Sequence, residues 1–305
     1  MVVLSAAATV PDHVSVPYSA PAELAARLAP RLSTRLAAGA PVLAVLDAPE
    51  RLALVAELGT DAERVRFADP ADVHAVPAFT VAIRWARMGR DTDGARAVVV
   101  GQHVDLPGRG PEHWARLDIA LNVAIEGVPV TVLCPHRDTP ARIEQTHPLL
   151  LTADGPRRST SYRPPPEAVV DYPPPPPPDL GRPDFELRFG LSELLGLRRR
   201  IAAAAAAAGL EVDRVSDLVL AVNELAANSV EHGPGVGRLA VWVGPGTVTV
   251  EVADSGRMDV PFPGLVAPPP TGIRGRGLWL ASELTDVLQV WSDAHGTVIR
   301  VSTGG

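Results

Sequence analysis

The chain has 305 residues, enough for two domains with separate cores, and its formal net charge of −7 argues against a general nucleic-acid binder. All 28 basic residues are arginine, which excludes a Walker-type phosphate loop because that loop needs a lysine. The single cysteine, Cys134, excludes an internal disulfide, and its isolation argues against a zinc cluster.

The opening segment MVVLSAAATV is mildly apolar, but it has no positively charged start and meets Pro11 before a signal core is complete. The alanine run at 202–208 is too short to cross a bilayer. We therefore expect no export and no membrane partner. The lone cysteine suits the reducing cytoplasm.

In the N-terminal half, apolar runs typical of strands alternate with helical patterns. The predicted strands are PVLAVLD (41–47), ERVRFAD (63–69), RAVVVGQ (96–102) and VPVTVLC (128–134). The predicted helices cover 49–58, 78–90 and 112–126. This alternation indicates a mostly parallel sheet covered on both faces. Residues 1–154 are therefore predicted to form an α/β domain.

A proline-rich segment at 155–183 is predicted to link two domains. Its six consecutive prolines at 173–178 must adopt a stiff polyproline conformation, roughly 3.1 Å per residue, or about 19 Å in length. We interpret it as a spacer through which the first domain controls the second in a fixed geometry. The alternative is a docking peptide for an aromatic groove.

The C-terminal half, 184–305, has a different order of elements. After a strand at FELRF and two helices come the adjacent strands RLAVWVG and TVTVEVAD, a helix near LWLASEL, and the strands DVLQVWS and GTVIRVS. Strands joined by short glycine-containing turns favour an antiparallel or mixed sheet with helices on one face. We predict an α+β sandwich.

The stretch NELAANSVEHG places Glu224, Asn228 and His232 four residues apart, so they share one face of a helix. Apolar residues at spacings of three and four form the opposite face, which packs on a core. The simplest interpretation is that the polar face is only solvated. A further alternative for His232 is a structural cap at the helix end, because Gly233 follows it.

Three further motifs follow this helix in the chain. VEVADSG ends a strand with Asp254 and Gly256, and HGTVIRVS places Thr297 at the start of another strand. Between them, TGIRGRGLWLASEL begins a helix with glycines and arginines, whose backbone amides and charge suit phosphate oxygens. The residues concerned are Arg274, Gly275, Arg276 and Gly277. Each motif alone is weak, but their order is specific.

This succession of motifs over residues 185–303 resembles the GHKL (HATPase_c) superfamily ATP-binding fold. Within that superfamily, the stretches NELAANSVEHG and GRGLWLA resemble the RsbW-type anti-sigma regulatory kinases of bacteria. The resemblance implies ATP and Mg²⁺ as cofactors, with Asn228 as magnesium ligand and Asp254 as acceptor for the adenine amino group. It also implies Glu224 as general base. The implied partners are a sigma factor and a STAS-type anti-sigma factor antagonist phosphorylated on serine. A homodimer is a further expectation.

The sequence departs from the superfamily after Gly256, where a second glycine is common and Arg257, Met258 and Asp259 stand instead. The proline-rich loop at 256–273 indicates a short, stiff lid, which affects turnover more than ATP binding. A non-catalytic module that sequesters a partner is therefore an alternative. A sensor histidine kinase is a weaker one, since residues 183–214 contain no phosphoacceptor histidine.

Residues 10–152 resemble the MEDS sensory domain, a RecA-like sheet without a working phosphate loop, through DHVSVPY, LDAPERL, RVRFADPADV and VLCPHRDTP. With an RsbW-like domain, this arrangement is similar to RsbA-family regulators. The resemblance implies a small-molecule signal, and ligands of parallel sheets bind beyond the carboxyl ends of the strands. The candidate pocket residues are His13, Tyr18, His103, Cys134, His136 and Arg137. The alternative is that Cys134 is a buried hydrophobe and the histidines are scattered on the surface.

Overall fold

The computed structural model describes residues 11–92, 94–137, 141–268 and 276–304. The chain forms two compact units, Met1–Pro173 and Pro174–Gly305, so the division falls inside the run of six prolines. Each unit has its own hydrophobic core. Across these described residues, no helix has the length and apolar character needed to cross a bilayer.

The first unit is built on a seven-stranded sheet. Its strands are β1 (His13–Pro17), β2 (Val42–Val45), β3 (Val65–Ala68), β4 (Ala97–Gly101), β5 (Val130–His136), β6 (Leu149–Thr152) and β7 (Gly155–Arg158). Their spatial order is β3-β2-β4-β5-β1-β6-β7, and all neighbours are parallel except β6 and β7. The predicted α/β class with a mostly parallel sheet is confirmed.

Helices cover both faces of this sheet. They are α1 (Pro21–Ala37), α2 (Ala48–Leu58), α3 (Pro70–Val73), α4 (Ala78–Arg90), α5 (Pro111–Ala124), α6 (Ala141–Thr146) and α7 (Pro165–Ala168). Helices α1 and α2 pack on the face that carries Val14, Val16 and Leu133. The opposite face carries His13, whose ring contacts Asn122 of α5. The apolar strands are therefore buried on both faces, as parallel strands require.

The first part of the predicted linker belongs to the first unit. Strand β7 pairs with β6 through a tight turn in which Gly155 has φ of 114°, a conformation that side-chain-bearing residues rarely adopt. Arg163 then donates a backbone hydrogen bond to the Gln145 carbonyl. Composition alone pointed to a linker because ADGPRRST lacks the apolar alternation of a strand.

The second unit is a five-stranded antiparallel sheet with three helices packed on one face. The strands are β8 (Phe185–Phe189), β9 (Gly237–Gly244), β10 (Thr247–Asp254), β11 (Val287–Asp293) and β12 (Gly296–Gly304). The helices are α8 (Leu194–Ala207), α9 (Val212–Glu231) and α10 (Arg276–Leu284). The strand order is β11-β12-β10-β9-β8. The predicted α+β sandwich is confirmed.

The polyproline segment lies on the other face of this sheet. Trp291 Nε1 donates to the Pro175 carbonyl at 2.6 Å, and Arg300 Nη1 donates to the Pro178 carbonyl at 2.9 Å. The Arg300 guanidinium also lies over the Trp291 ring and binds Glu251 at 2.7 Å. The second half of the linker is therefore docked in an aromatic groove of its own unit.

Candidate functional site

Helix α9 carries the central part of the candidate nucleotide site. Its apolar face, which includes Leu218, Val222 and Leu225, is completely buried against the sheet. Glu224 and Asn228 are half-buried, whereas His232 is exposed at the helix end, where its N–H bonds to the Asn228 carbonyl at 2.8 Å. The interpretation of a merely solvated polar face therefore does not describe Glu224 and Asn228.

Glu224 and Asn228 face the start of α10, where Gly277 allows a close approach. A Cβ at position 277 would lie 2.9 Å from Asn228 Nδ2 and 3.3 Å from Glu224 Oε2. These distances are shorter than ordinary van der Waals contacts. The glycine thus brings the polar residues of α9 beside the N-terminal amides of α10. Those amides are suited to binding anions.

The end of β10 forms the opposite side of the site. Asp254 Oδ1 accepts a hydrogen bond from the Gly256 N–H at 2.7 Å, which holds the turn after the strand. Thr297 Oγ1 donates to the Gly256 carbonyl at 2.8 Å and so joins β12 to the same turn. Gly296 has φ of 141°, and a Cβ there would lie 2.2 Å from the Asp254 carbonyl oxygen. Only glycine fits at position 296.

These segments surround a cavity of about 310 Å³. Six of the predicted nucleotide-site residues line it: Asn228, His232, Asp254, Gly256, Gly277 and Thr297. Glu224 lies beside the cavity, against Gly277. Arg276 begins α10 and is exposed. Arg274 and Gly275 lie outside the described residues.

Several cavity residues were not predicted from the sequence, because they lie beside the motif positions rather than at them. They include Ser229, Gly233, Leu278 and Ile299. Gly233 is required for close packing, since a Cβ there would lie 2.6 Å from the Ser229 carbonyl. A glycine directly after the helix could have indicated this close backbone contact, but the sequence analysis interpreted it as part of a helix cap.

The loop after Gly256 is held down over its described residues. The Met258 N–H donates to Ser292 Oγ at 2.8 Å, and Phe262 and Leu265 are buried. Ser282 Oγ donates to the Gly264 carbonyl at 2.9 Å, which attaches the loop to α10. The described part of the predicted lid is therefore anchored at several points.

In the first unit, the candidate pocket residues separate into two polar clusters. Tyr18 and Arg137 join Glu50, which is 1% exposed, on the side of the sheet covered by α1 and α2. Tyr18 donates to Glu50 Oε1 at 2.8 Å and Arg137 Nη2 donates to the same oxygen at 2.6 Å. Burial raises the pKa of Tyr18 to about 12. Burial also opposes ionisation of Glu50, but the hydrogen bonds from Arg137 and Tyr18 outweigh it and lower the Glu50 pKa.

The other cluster lies between the sheet and α5. It contains four predicted residues, His13, His103, Cys134 and His136, and two that the sequence analysis missed, Asp118 and His147. All except His103 are fully buried, and the His103 side chain is only 7% exposed, so the alternative of scattered surface histidines is wrong for this group. A signal for Asp118 was present in WARLDIALN, where a lone carboxylate stands among residues of a buried helix face.

Burial dominates the protonation of this cluster. It lowers the pKa of His13 and of His147, and it raises the pKa of the Cys134 thiol. Burial also opposes ionisation of Asp118, but the imidazoles of His103 and His147 outweigh it and hold the carboxyl pKa well below its ordinary value. The cluster therefore combines a buried carboxylate and a buried thiol with several imidazole nitrogens.

A separate cavity of about 300 Å³ lies between the loops that follow β3 and β4. It is lined by His74 and Arg109, and none of the predicted pocket residues lines it. Burial lowers the pKa of His74 to about 3, and it lowers that of the neighbouring His113 to about 4. The position agrees with the rule that ligands of parallel sheets bind beyond the carboxyl ends of strands.

Comparison with known proteins bears on the second unit. Residues 191–303 match the family model described as histidine kinase-like ATPase domain. The comparison with curated proteins gives no match. Among solved structures, the RsbU and RsbW domains of Rv1364c from Mycobacterium tuberculosis match with 22% identity and a TM-score of 0.30 over 40% of this chain. This chain spans 32% of that one, about a third of its length.

The family match identifies a GHKL-like ATPase domain in the second unit, as its motifs predicted. Such a domain implies ATP as its ligand. The resemblance of residues 10–152 to the MEDS domain stays a prediction.

Proposed function

We propose that the second unit binds ATP with Mg²⁺ in the cavity of about 310 Å³, and that the chain is an anti-sigma type regulator controlled by its first unit. The observation that carries this proposal is the convergence of Asn228, Asp254, Gly277 and Thr297, from four separate segments, on one cavity. The family match over 191–303 supports it independently.

The residues present fit ATP and magnesium. Gly233, Gly256 and Gly277 leave the cavity wall without side chains, and a Cβ at any of them would collide with a neighbour. The Asn228 amide oxygen is a donor of the kind that Mg²⁺ prefers. Asn228 would hold the ion, which when bound neutralises charge on the phosphate oxygens.

Asp254 is suited to recognise adenine. One of its carboxylate oxygens already accepts from the Gly256 N–H, which fixes the side chain, and a carboxylate has further capacity to accept from an amino group. Thr297 holds the Gly256 backbone in place through its hydroxyl. This end of the cavity would therefore select a base that presents an amino group.

Glu224 is suited to act as general base in phosphoryl transfer. Its carboxylate lies one helical turn before Asn228 and is half-buried. It would take the proton from a serine hydroxyl of a STAS-type antagonist as the hydroxyl oxygen attacks the γ-phosphorus and ADP leaves. The chain would then release or capture a sigma factor according to the phosphorylation of that antagonist.

A non-catalytic ATP-binding module that sequesters its partner is the second candidate. The anchored loop favours it, because Met258 and Gly264 are fixed to β11 and α10 and closure over the nucleotide is restricted. A sensor histidine kinase is disfavoured, since α8 carries no histidine to accept the phosphoryl group.

Titration calorimetry of the full chain tests the binding step. We expect ATP binding that requires Mg²⁺, and a loss of roughly tenfold or more in affinity for Asn228→Ala, because a bond to a charged group contributes about 1.5–3 kcal/mol. Asn223→Ala is the matched control, since Asn223 on the same helix pairs with Arg198 at 2.7 Å instead. Binding without Mg²⁺, or equal losses in both variants, would refute this assignment.

Incubation with labelled ATP and antagonist-like proteins separates kinase from module. The kinase hypothesis expects label on a partner serine, lost in Glu224→Gln while ATP affinity is retained. Glu231→Gln, an exposed position on the same helix, should transfer label like the wild type. A stable ATP-dependent complex without transfer in any variant would support the module.

A further inference from the structure

Four side chains capable of binding a metal converge in the interior of the first unit. They are His13 at the start of β1, Asp118 on α5, Cys134 on β5 and His147 after α6. One donor atom from each lies within 4.8 Å of the other three, and all four residues are buried. Residues this far apart in sequence meet only through the tertiary fold.

Hydrogen bonds fix how His13 presents its ring. Asn122 Nδ2 donates to the Thr146 carbonyl at 2.7 Å, so its Oδ1 faces His13 Nδ1 at 2.9 Å. An amide oxygen only accepts, and the proton of the neutral imidazole is therefore on Nδ1. The lone pair of His13 Nε2 points towards Cys134 Sγ, 3.2 Å away.

His147 is oriented in the same way. Its Nδ1 lies 2.9 Å from the Ile143 carbonyl oxygen, which only accepts, so the neutral ring carries its proton on Nδ1. His147 Nε2 then presents a lone pair 3.7 Å from Asp118 Oδ1. Hydrogen bonds that hold the far nitrogen of an imidazole are characteristic of histidines that ligate metals.

Asp118 completes a set of converging acceptors. Thr146 Oγ1 donates to its Oδ2 at 3.0 Å, whereas Oδ1 has three imidazole nitrogens around it. They are His103 Nε2 at 3.0 Å, His147 Nε2 at 3.7 Å and His13 Nε2 at 3.9 Å. Acceptors that face one another in a buried site repel unless a cation lies between them.

Three of the distances lie within about 0.1 Å of the range expected around a tetrahedral ion. Bonds of about 2.0–2.3 Å to nitrogen, oxygen and sulfur place neighbouring ligand atoms roughly 3.3–3.8 Å apart. The observed separations from His13 Nε2 are 3.2 Å to Cys134 and 3.9 Å to Asp118, and that between His147 and Asp118 is 3.7 Å. Two imidazoles, a thiolate and a carboxylate form a donor set that suits Zn²⁺.

We propose that the first unit binds one Zn²⁺ ion through His13 Nε2, Asp118 Oδ1, Cys134 Sγ and His147 Nε2. The site is structural, because four protein ligands fill the tetrahedral shell and none of them is exposed. It ties β1, β5, α5 and the segment after α6 together around one ion. On binding, the Cys134 thiol loses its proton to solvent and the thiolate sulfur bonds to the metal.

His103 supplies the competing explanation. Its Nε2 lies 3.0 Å from Asp118 Oδ1, and its ring stacks on Trp114 with centroids 4.7 Å apart. A hydrogen bond from His103 would satisfy Asp118 Oδ1 without any metal. The experiment therefore has to separate a metal ion from a histidine–carboxylate pair.

The full chain, purified without a histidine tag or chelator, is analysed for metals by mass spectrometry. We expect about one Zn²⁺ per chain. After removal of zinc, titration with Co²⁺ is expected to give the absorption of a tetrahedral site with a thiolate charge-transfer band. Full-length protein with only trace metal and no cobalt spectrum would overturn the proposal in favour of the His103 pair. An equimolar ion other than zinc would overturn the choice of ion.

Two variants locate the ion. Cys134→Ala is expected to lose the charge-transfer band and at least tenfold in zinc affinity, measured by competition with a chromophoric chelator. His113→Gln is the matched control, a buried histidine of the same unit that contacts His74 and should keep one zinc per chain. A Cys134→Ala protein that retains the band and the affinity of the wild type would overturn the site. The wild-type measurements stand even if Cys134→Ala fails to fold.

Discussion

The close approach of α10 to α9 makes Gly277→Ala a sharp test of the nucleotide site. The new Cβ would lie 2.9 Å from Asn228 Nδ2 and 3.3 Å from Glu224 Oε2. An ordinary contact is about 3.5 Å, so the Asn228 amide must move by roughly 0.5 Å. That atom ends a flexible side chain, and alanine favours helix over glycine by about 1 kcal/mol. The free energy of unfolding should therefore change little.

Nucleotide binding should respond more strongly than stability. Groups that hold a ligand must be placed within about 0.5 Å, so we expect the affinity for Mg²⁺–ATP to fall roughly tenfold to a hundredfold. The assay is titration calorimetry of the full chain beside thermal unfolding. The two assays together distinguish a loss of binding caused by a displaced Asn228 side chain from a loss of folding.

Gly196→Ala provides the matched control. Gly196 lies in α8 and is exposed, and a Cβ added there would meet no atom within 4 Å. We expect this variant to be more stable by about 0.5–1 kcal/mol, with a melting temperature roughly 2–5 °C higher and unchanged ATP affinity. Wild-type affinity for Gly277→Ala beside a stabilised Gly196→Ala would refute the reasoning about the site.

Two further predictions concern stability. Replacing residues 173–178 by glycine and serine should lower the free energy of unfolding of the second unit by roughly 2–4 kcal/mol. The reason is that each of about four docked prolines reduces the conformational entropy of the unfolded chain. Urea unfolding followed by tryptophan fluorescence, to which Trp291 beside Pro175 contributes, checks this, and an unchanged midpoint would contradict it. Glu50→Gln should cost about 2 kcal/mol at neutral pH. Because the folded Glu50 pKa is lowered, its contribution is present above the ordinary carboxyl pKa and is lost as pH falls through the folded value. Acid titration of the melting temperature should therefore be flatter in this variant.

The sequence by itself determined the two fold classes and most of the candidate nucleotide site. Strand and helix periods are local properties, and α4 is observed at Ala78–Arg90, the range its periodicity predicts. Asn228, Asp254 and Gly277 could be named as site residues because each belongs to a short motif, on one face of a helix, at the end of a strand and at the start of a helix respectively. The order of these motifs implied that the fold brings them together.

Only the tertiary structure decided the grouping of the first unit's polar residues. Side chains alternate between the faces of a strand, so His13 and Cys134 point towards α5, while Tyr18 and Arg137 lie with Glu50 on the other side. Asp118 and His147 join the first group through contacts between elements distant in sequence, which local periodicity does not encode. The docking of the polyproline segment also depends on contacts between elements that are distant in sequence. Its groove is made by Trp242, Trp291 and Arg300 on three strands, which become neighbours only when the sheet forms.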